Sequence, residues 1–93
     1  MVKHIVLYKF KDDVDHQQAI GIIADALEPL VGKIPGLRHL EVRLAFNGMD
    51  YALYSEFDSR EALAAYAEHP LHQEAKTRFF HLLQSRVAAD YEL

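Results

Sequence analysis

The feature that most constrains the fold is an N-terminal segment, residues 2–10, that is apolar on both of its sides. Strand-like alternation puts Val6 and Tyr8 on one side and Ile5 and Leu7 on the other. A strand with two apolar sides belongs in the middle of a sheet, and each side has to be covered by other structure. Other elements of the chain, or a partner protein, must therefore pack against each of the two sides.

A helix and a hairpin are predicted to follow this strand. Asp15 is a suitable N-cap for a helix whose apolar residues recur every three or four positions over 20–31. Strand patterns are expected over 37–46 and 50–57. They are separated by Asn47-Gly48, a dipeptide typical of hairpin turns because both residues tolerate positive φ.

The last third of the chain predicts a broken helix and a final strand. Asp58 is expected to cap a helix that runs to about Ala67, where His69-Pro70 interrupts it. A second helical piece starts at Pro70, and a strand over 86–91 closes the chain. The core-facing stripe of the second helical piece is expected to consist of Leu71, Ala75, Phe79 and Leu82.

The element order βαββαβ is that of a ferredoxin-like α+β fold with a four-stranded antiparallel sheet. In this topology strands one and three are central, strand two lies at an edge, and the two helices cover only one face. We expect residues 1–93 to form one such domain, because the chain is too short for two cores. Ile5 and Leu7 would lie on the uncovered face, so we expect a homodimer in which a second sheet closes an α/β barrel.

Composition excludes several classes of protein. The net charge is −4 and the ten Lys and Arg residues are scattered, so the basic footprint of a nucleic-acid-binding protein is absent. With no cysteine the chain has no thiolate nucleophile and no Cys-based zinc site. No apolar stretch approaches the roughly 20 residues of a membrane span, and we expect no membrane partner and a cytoplasmic location.

Four segments carry a resemblance to a known family. They are residues 2–11, Ile34-Pro35-Gly36-Leu37, Phe57-Asp58-Ser59 and His69-Pro70-Leu71-His72. In sequence and spacing they resemble the stress-responsive α/β barrel (Dabb) domain proteins, which are dimeric ferredoxin-like barrels. That family includes plant stress proteins without an agreed chemistry, bacterial proteins of unknown role, and a plant polyketide cyclase that closes an aromatic ring by aldol condensation without a cofactor.

The resemblance to the cyclase implies a site. It places His4, Tyr66 and His72 in a cavity between the sheet and the helices, as catalytic residues of a cyclase or lyase type of enzyme. Two other pocket residues of the cyclase are replaced. Tyr51 stands where the cyclase has a histidine, and Ala26-Leu27 stand where it has a tyrosine, so a different substrate is expected.

Imidazole and phenol groups suit proton transfer on a carbonyl compound. Imidazole titrates near neutrality, so His72 is the expected base, Tyr66 the donor to an oxyanion and His4 the orienting partner, with no cofactor. The ligand would be small and apolar. The pocket is also expected to include Val6, Tyr8, Tyr51, His69 and Phe79. The competing interpretation is that the same polar residues only fix the helix onto the sheet.

Two further alternatives are weaker. His4, His69 and His72 with Glu61 or Glu68 are possible metal ligands, but a pair of histidines three apart beside a proline break is poorly shaped for this, and no metal is expected. Haem-degrading and quinol-forming monooxygenases share the dimeric fold. The chain has no tryptophan and no evident haem-binding arrangement, so that alternative rests on fold analogy alone.

Overall fold

A computed structural model describes residues 1–93 and contains four strands and three α-helices. In chain order these are β1 (Val2–Phe10), α1 (His16–Leu27), β2 (Leu37–Leu44), β3 (Tyr51–Phe57), α2 (Arg60–Glu68), α3 (Pro70–Lys76) and β4 (Leu83–Glu92). Short 3-10 helices follow α1 at Glu28–Leu30 and α3 at Phe80–Leu82. No helix is long and apolar enough to cross a membrane.

The strands form one antiparallel sheet in the order β2-β3-β1-β4. The ferredoxin-like fold predicted from the element order is confirmed, with β1 and β3 central and β2 at an edge. Val6 pairs with Leu53 of β3 and with Ala88 of β4. This register keeps the side chains of Val6 and its neighbours on the face that the helices cover.

The core lies between that face and the helices. Nineteen apolar residues form one buried cluster, which includes Ile23 and Leu27 of α1 and Val6 and Phe57 of the sheet face. The opposite face of the sheet has no helix against it. There Leu7 pairs with Val87 across β1 and β4, and both side chains are exposed, as the two-sided apolar pattern predicted.

Helix α1 begins where the sequence predicts but ends earlier. The Asp15 side chain accepts a hydrogen bond from the Gln18 amide at 3.1 Å, which confirms the N-cap. The regular helix stops at Leu27 and tightens into the 3-10 turn Glu28–Leu30, because Pro29 has no N–H to continue the helical ladder.

Helix α2 starts one residue later than predicted. Its N-cap is Ser59, which accepts from the Ala62 amide at 3.1 Å. Asp58 was expected in this role. Its carboxylate is instead held by the Arg38 guanidinium through two bonds of 2.6 and 2.8 Å, so it is not available to the helix.

The predicted hairpin forms, but its loop is longer than a two-residue turn. The last ladder bond runs from the Ala45 amide to the Asp50 carbonyl at 2.9 Å, and Gly48 is the one loop residue with positive φ, at 85°. Asp50 explains the longer loop. Its amide donates to the Tyr8 carbonyl and its carboxylate accepts from the Phe10 amide, at 2.9 and 2.8 Å, which ties the hairpin end to β1.

The C-terminal helical piece is shorter than expected, and the last strand is longer. Helix α3 ends at Lys76, and Leu71 is exposed rather than part of the core stripe, whereas Ala75 and Phe79 are buried. Strand β4 begins at Leu83 because a register shift between Lys9 and Phe10 brings Phe10 opposite Leu83.

Candidate functional site

A cavity of about 300 Å³ opens between the sheet and the α2–α3 segment. This volume is at the lower end of the range for small-molecule sites. The lining is mostly hydrophobic and consists of His4, Val6, Tyr8, Leu27, Leu53, Leu63, Tyr66, Ala67, His72, Lys76, Phe79, Phe80 and Arg86. The site is therefore apolar, with a small set of polar groups.

The cavity brings together six of the eight residues predicted for the site, namely His4, Val6, Tyr8, Tyr66, His72 and Phe79. Tyr51 does not line it. Its ring is fully buried behind Tyr8, with the two ring centroids 4.7 Å apart. His69 does not line it either, because its Nδ1 accepts a hydrogen bond from the Leu71 amide at 3.1 Å and caps α3.

The break at Pro70 brings Tyr66 and His72 together. Tyr66 lies in the last turns of α2 and His72 in the first turn of α3. His69 between them is extended, with φ −64° and ψ 136°, as expected for a residue before proline. The chain turns there, and the two rings meet with centroids 4.1 Å apart and planes at 30°.

His72 is held as a neutral imidazole. Burial is the main cause that lowers its pKa below the ordinary value of 6.5. The hydrogen bond to the Ala67 carbonyl opposes this shift, and the electrostatic effects of Lys76 and His4 lower the pKa further. Its Nδ1 lies 3.3 Å from the Ala67 carbonyl oxygen. A carbonyl only accepts, so Nδ1 carries the proton in this bond and Nε2 keeps a free lone pair. His72 is thus suited to accept a proton.

Tyr66 is held as a neutral phenol. The residue is buried against Phe57, with ring centroids 5.0 Å apart. Burial is the main cause that raises its pKa far above neutrality, and the nearby Tyr8 hydroxyl adds to the effect. The phenol therefore keeps its proton and is suited to donate a hydrogen bond.

His4 is oriented by a carboxylate that the sequence analysis missed. Asp90 lies directly opposite His4 in the β1–β4 ladder, and its Oδ1 accepts from the His4 Nδ1. The bond fixes the tautomer of the ring and leaves Nε2 for other partners. One signal was present in the sequence, since Asp90 follows the apolar run 87–89. Its pairing partner depends on the register of the β1–β4 ladder, which no local pattern reveals.

Two cations of the lining, Lys76 and Arg86, were not predicted from the sequence. Arg86 lies opposite Tyr8 in the β1–β4 ladder, two places before Ala88 on the same side of the strand. The alternative metal site does not assemble. No three His, Asp or Glu side chains in the chain are close enough together to hold an ion, and the Nδ1 of His69 is already engaged.

Comparison with known proteins agrees with this architecture. The family model described as the Stress responsive A/B Barrel Domain (Dabb) matches residues 2–93. The stress-response A/B barrel domain-containing protein HS1 of Arabidopsis thaliana is 30% identical, over 98% of this chain and 88% of that protein.

Two solved structures are also similar. A dimeric protein of unknown function and ferredoxin-like fold from Bacteroides fragilis NCTC 9343 is 39% identical, with a TM-score of 0.88 over 99% of this chain and 95% of that one. A dimeric ferredoxin-like protein of unknown function from Thermobifida fusca YX is 28% identical, with a TM-score of 0.83 over 99% of this chain and 90% of that one.

Proposed function

This chain belongs to the stress-responsive A/B barrel domain family, and on that premise we propose that it is a homodimer whose pocket moves a proton on a small apolar carbonyl compound without a cofactor. One observation carries the proposal. A neutral imidazole and a protonated phenol, those of His72 and Tyr66, lie with ring centroids 4.1 Å apart at an apolar cavity. That pairing is what enolate chemistry needs.

Two observations support the homodimer. The similar proteins from Bacteroides fragilis and Thermobifida fusca are described as dimeric. The face of the sheet that carries Leu7 and Val87 is uncovered and exposes apolar surface. A second sheet packed on this face would remove that surface from water.

The proposed step is removal of a proton from the carbon next to the carbonyl group. The Nε2 lone pair of His72 takes the proton, and the electron pair of the broken C–H bond delocalises onto the carbonyl oxygen as an enolate. The Tyr66 hydroxyl donates a hydrogen bond to that oxygen. The enolate carbon then takes the proton back from His72, or it forms a bond to a second carbonyl carbon. In the second case the π electrons of that carbonyl move to its oxygen, which takes the proton from His72, as in the addition step of an aldol condensation.

His4 would act as a positioning residue. Its Nδ1–H is bound by Asp90, so its Nε2 is presented with a fixed tautomer and ring orientation. His4 also contributes, after burial, to the lowered pKa of His72. His4 therefore helps to keep His72 in its basic form, while Asp90 holds the His4 ring in place.

The test compares two histidines on either side of Pro70. We expect the protein to speed the exchange of the α-protons of 2-octanone in D₂O, followed by proton NMR, and His72→Ala to abolish that exchange with little loss of stability. His69→Ala should keep the exchange and cost about 1 kcal/mol in the free energy of unfolding, because it removes a helix cap. Tyr66→Phe should slow exchange at unchanged fold.

Two outcomes would reject the chemistry. Binding of 2-octanone without exchange would make the protein a binding module. If His72→Ala and His69→Ala changed only the melting temperature, and no ketone bound, the residues would have the structural role of fixing α3 onto the sheet.

A further inference from the structure

The wall of the pocket carries positive charge and no negative charge. Lys76 and Arg86 are among its lining residues, and none of the thirteen is Asp or Glu. The chain as a whole has the opposite balance, with 14 acidic and 10 basic residues. The Asp90 carboxylate does not line the pocket, and it is hydrogen-bonded to the lining residue His4. The local charge therefore differs in sign from that of the protein.

Arg86 is unusual among the arginines of the chain because it has no carboxylate partner. The other four lie within 4.0 Å of one, in the pairs Arg38–Asp58, Arg43–Glu28, Arg60–Glu92 and Arg78–Glu74. Arg86 stands opposite Tyr8, on the cavity side of β4. Its charge also reaches the buried interior. Burial raises the pKa of the Tyr51 phenol, and Arg86 partly opposes that rise.

Lys76 supplies a second unpaired cation at the other wall. It ends α3, is half-buried, and forms none of the ion pairs of the chain. Its Nζ lies 5.2 Å from the centroid of Phe80, another lining residue. Its charge also acts on His72. Burial is the largest cause that lowers the pKa of His72, and Lys76 lowers that pKa further. A bound anion would therefore meet an ammonium and a guanidinium whose fields already reach the pocket.

We infer that the ligand of this pocket carries a carboxylate on a small apolar body, and that Arg86 and Lys76 bind this carboxylate. The inference rests on the proposed function and narrows its substrate class to apolar carbonyl compounds with an acid group. A guanidinium can bind a carboxylate through two parallel hydrogen bonds. The apolar body has Tyr8, Phe79 and Phe80 to pack against in a cavity of about 300 Å³.

The experiment measures the binding of three eight-carbon probes to the intact protein by NMR titration or calorimetry. Octanoate is the anion, 2-octanone the neutral carbonyl compound and octylamine the cation. Octanoate is expected to bind the most tightly. Arg86→Gln and Lys76→Gln should each weaken octanoate about tenfold, the effect of losing one charge-assisted hydrogen bond, and leave 2-octanone unchanged.

The control variants remove the same charges elsewhere. Arg43→Gln on β2 and Lys33→Gln before it lie outside the pocket lining, and both should leave octanoate affinity unchanged. Arg86→Glu reverses the charge at the wall and should change the preferred probe from octanoate to octylamine. Binding of octylamine would also show that this variant is folded and that its pocket is intact.

The outcomes separate this inference from the proposed function. Tighter binding of 2-octanone than of octanoate, or an equal loss of octanoate binding in the control variants, would overturn the carboxylate site and leave the pocket proposal standing. If none of the three probes bound, both proposals would fail.

Discussion

The hydroxyl of Tyr51 has no hydrogen-bond partner in the protein, although the residue is fully buried. Its ring is stacked between Tyr8 and Phe10, with centroid distances of 4.7 and 5.2 Å. Burial raises the pKa of the phenol, so the group stays neutral. A buried donor without an acceptor destabilises the folded state.

Removing this hydroxyl should therefore stabilise the protein. Tyr51→Phe is expected to raise the free energy of unfolding by about 1 kcal/mol in urea denaturation, since the stacked ring is retained and the unsatisfied group is lost. Tyr54→Phe is the matched control. Its hydroxyl donates to Glu56 at 2.5 Å, so this variant should gain nothing. A loss of stability in Tyr51→Phe would contradict the prediction.

His72 should make stability depend on pH near neutrality. Its pKa is lower in the folded state than the ordinary value of 6.5, chiefly because of burial. At a pH above 6.5 the ring is mostly neutral in both the folded and the unfolded state, so it does not change the free energy of unfolding. As the pH falls below it, the unfolded chain binds the proton first, and stability is lost until the pH is below the folded pKa.

Urea denaturation from roughly pH 7.5 to 5.5 checks this sign. Stability should fall over this range, and the fall should be smaller in His72→Gln, which has no imidazole to protonate. His81→Gln removes an exposed histidine and should keep the wild-type dependence. Identical pH profiles for the wild type and His72→Gln would show that this ring is not held neutral.

At the scale of elements, the loop before β2 fixes the position of α2. Gly36 has φ of 86°, and a Cβ placed there would lie 2.5 Å from the Ala62 Cβ of α2. The Gly36 carbonyl also accepts from the Asp58 amide at 2.9 Å. Only glycine allows this approach, which brings α2 and hence Tyr66 to the sheet.

Gly36→Ala should consequently destabilise the protein by about 3 kcal/mol, from backbone strain and overlap with α2 together. Gly48→Ala is the control, because Gly48 has a φ of 85° but no atom within 4 Å of an added Cβ. That change should cost only about 1 kcal/mol of strain. Equal losses in the two variants, measured by urea denaturation, would mean that the contact with Ala62 is unimportant.

At the scale of the whole molecule, the uncovered face of the sheet should be the dimer interface. Size exclusion with light scattering should report about twice the chain mass of 10.7 kDa. Leu7→Lys should dissociate or unfold the protein because it puts an unpaired charge into a buried interface. The control is Ile22→Lys on α1. Leu7 and Ile22 are 37% and 38% exposed. A difference in dissociation between the two variants would therefore come from the position of Leu7 on the uncovered face and not from a difference in exposure. A monomeric wild type would reject the barrel.

The amino-acid sequence by itself determined the fold class, the element order and the break at Pro70. These properties depend on local periodicity, caps and turn residues, which act over a few positions. The two-sided apolar pattern of residues 2–10 already placed β1 in the middle of the sheet. The imidazole and phenol groups at positions 4, 66 and 72 were also identified from the sequence, through the resemblance to a family.

Only the tertiary structure decided which groups meet. Asp90 opposite His4 and Arg86 opposite Tyr8 follow from the β1–β4 register, and Ser59 replaces Asp58 as a cap because Arg38 reaches that carboxylate from β2. Tyr51 stands behind Tyr8 instead of in the pocket for the same reason, since sheet pairing stacks the two rings. Contacts between residues that lie far apart in the chain are set by strand register and side-chain packing, and local sequence patterns carry no information about either.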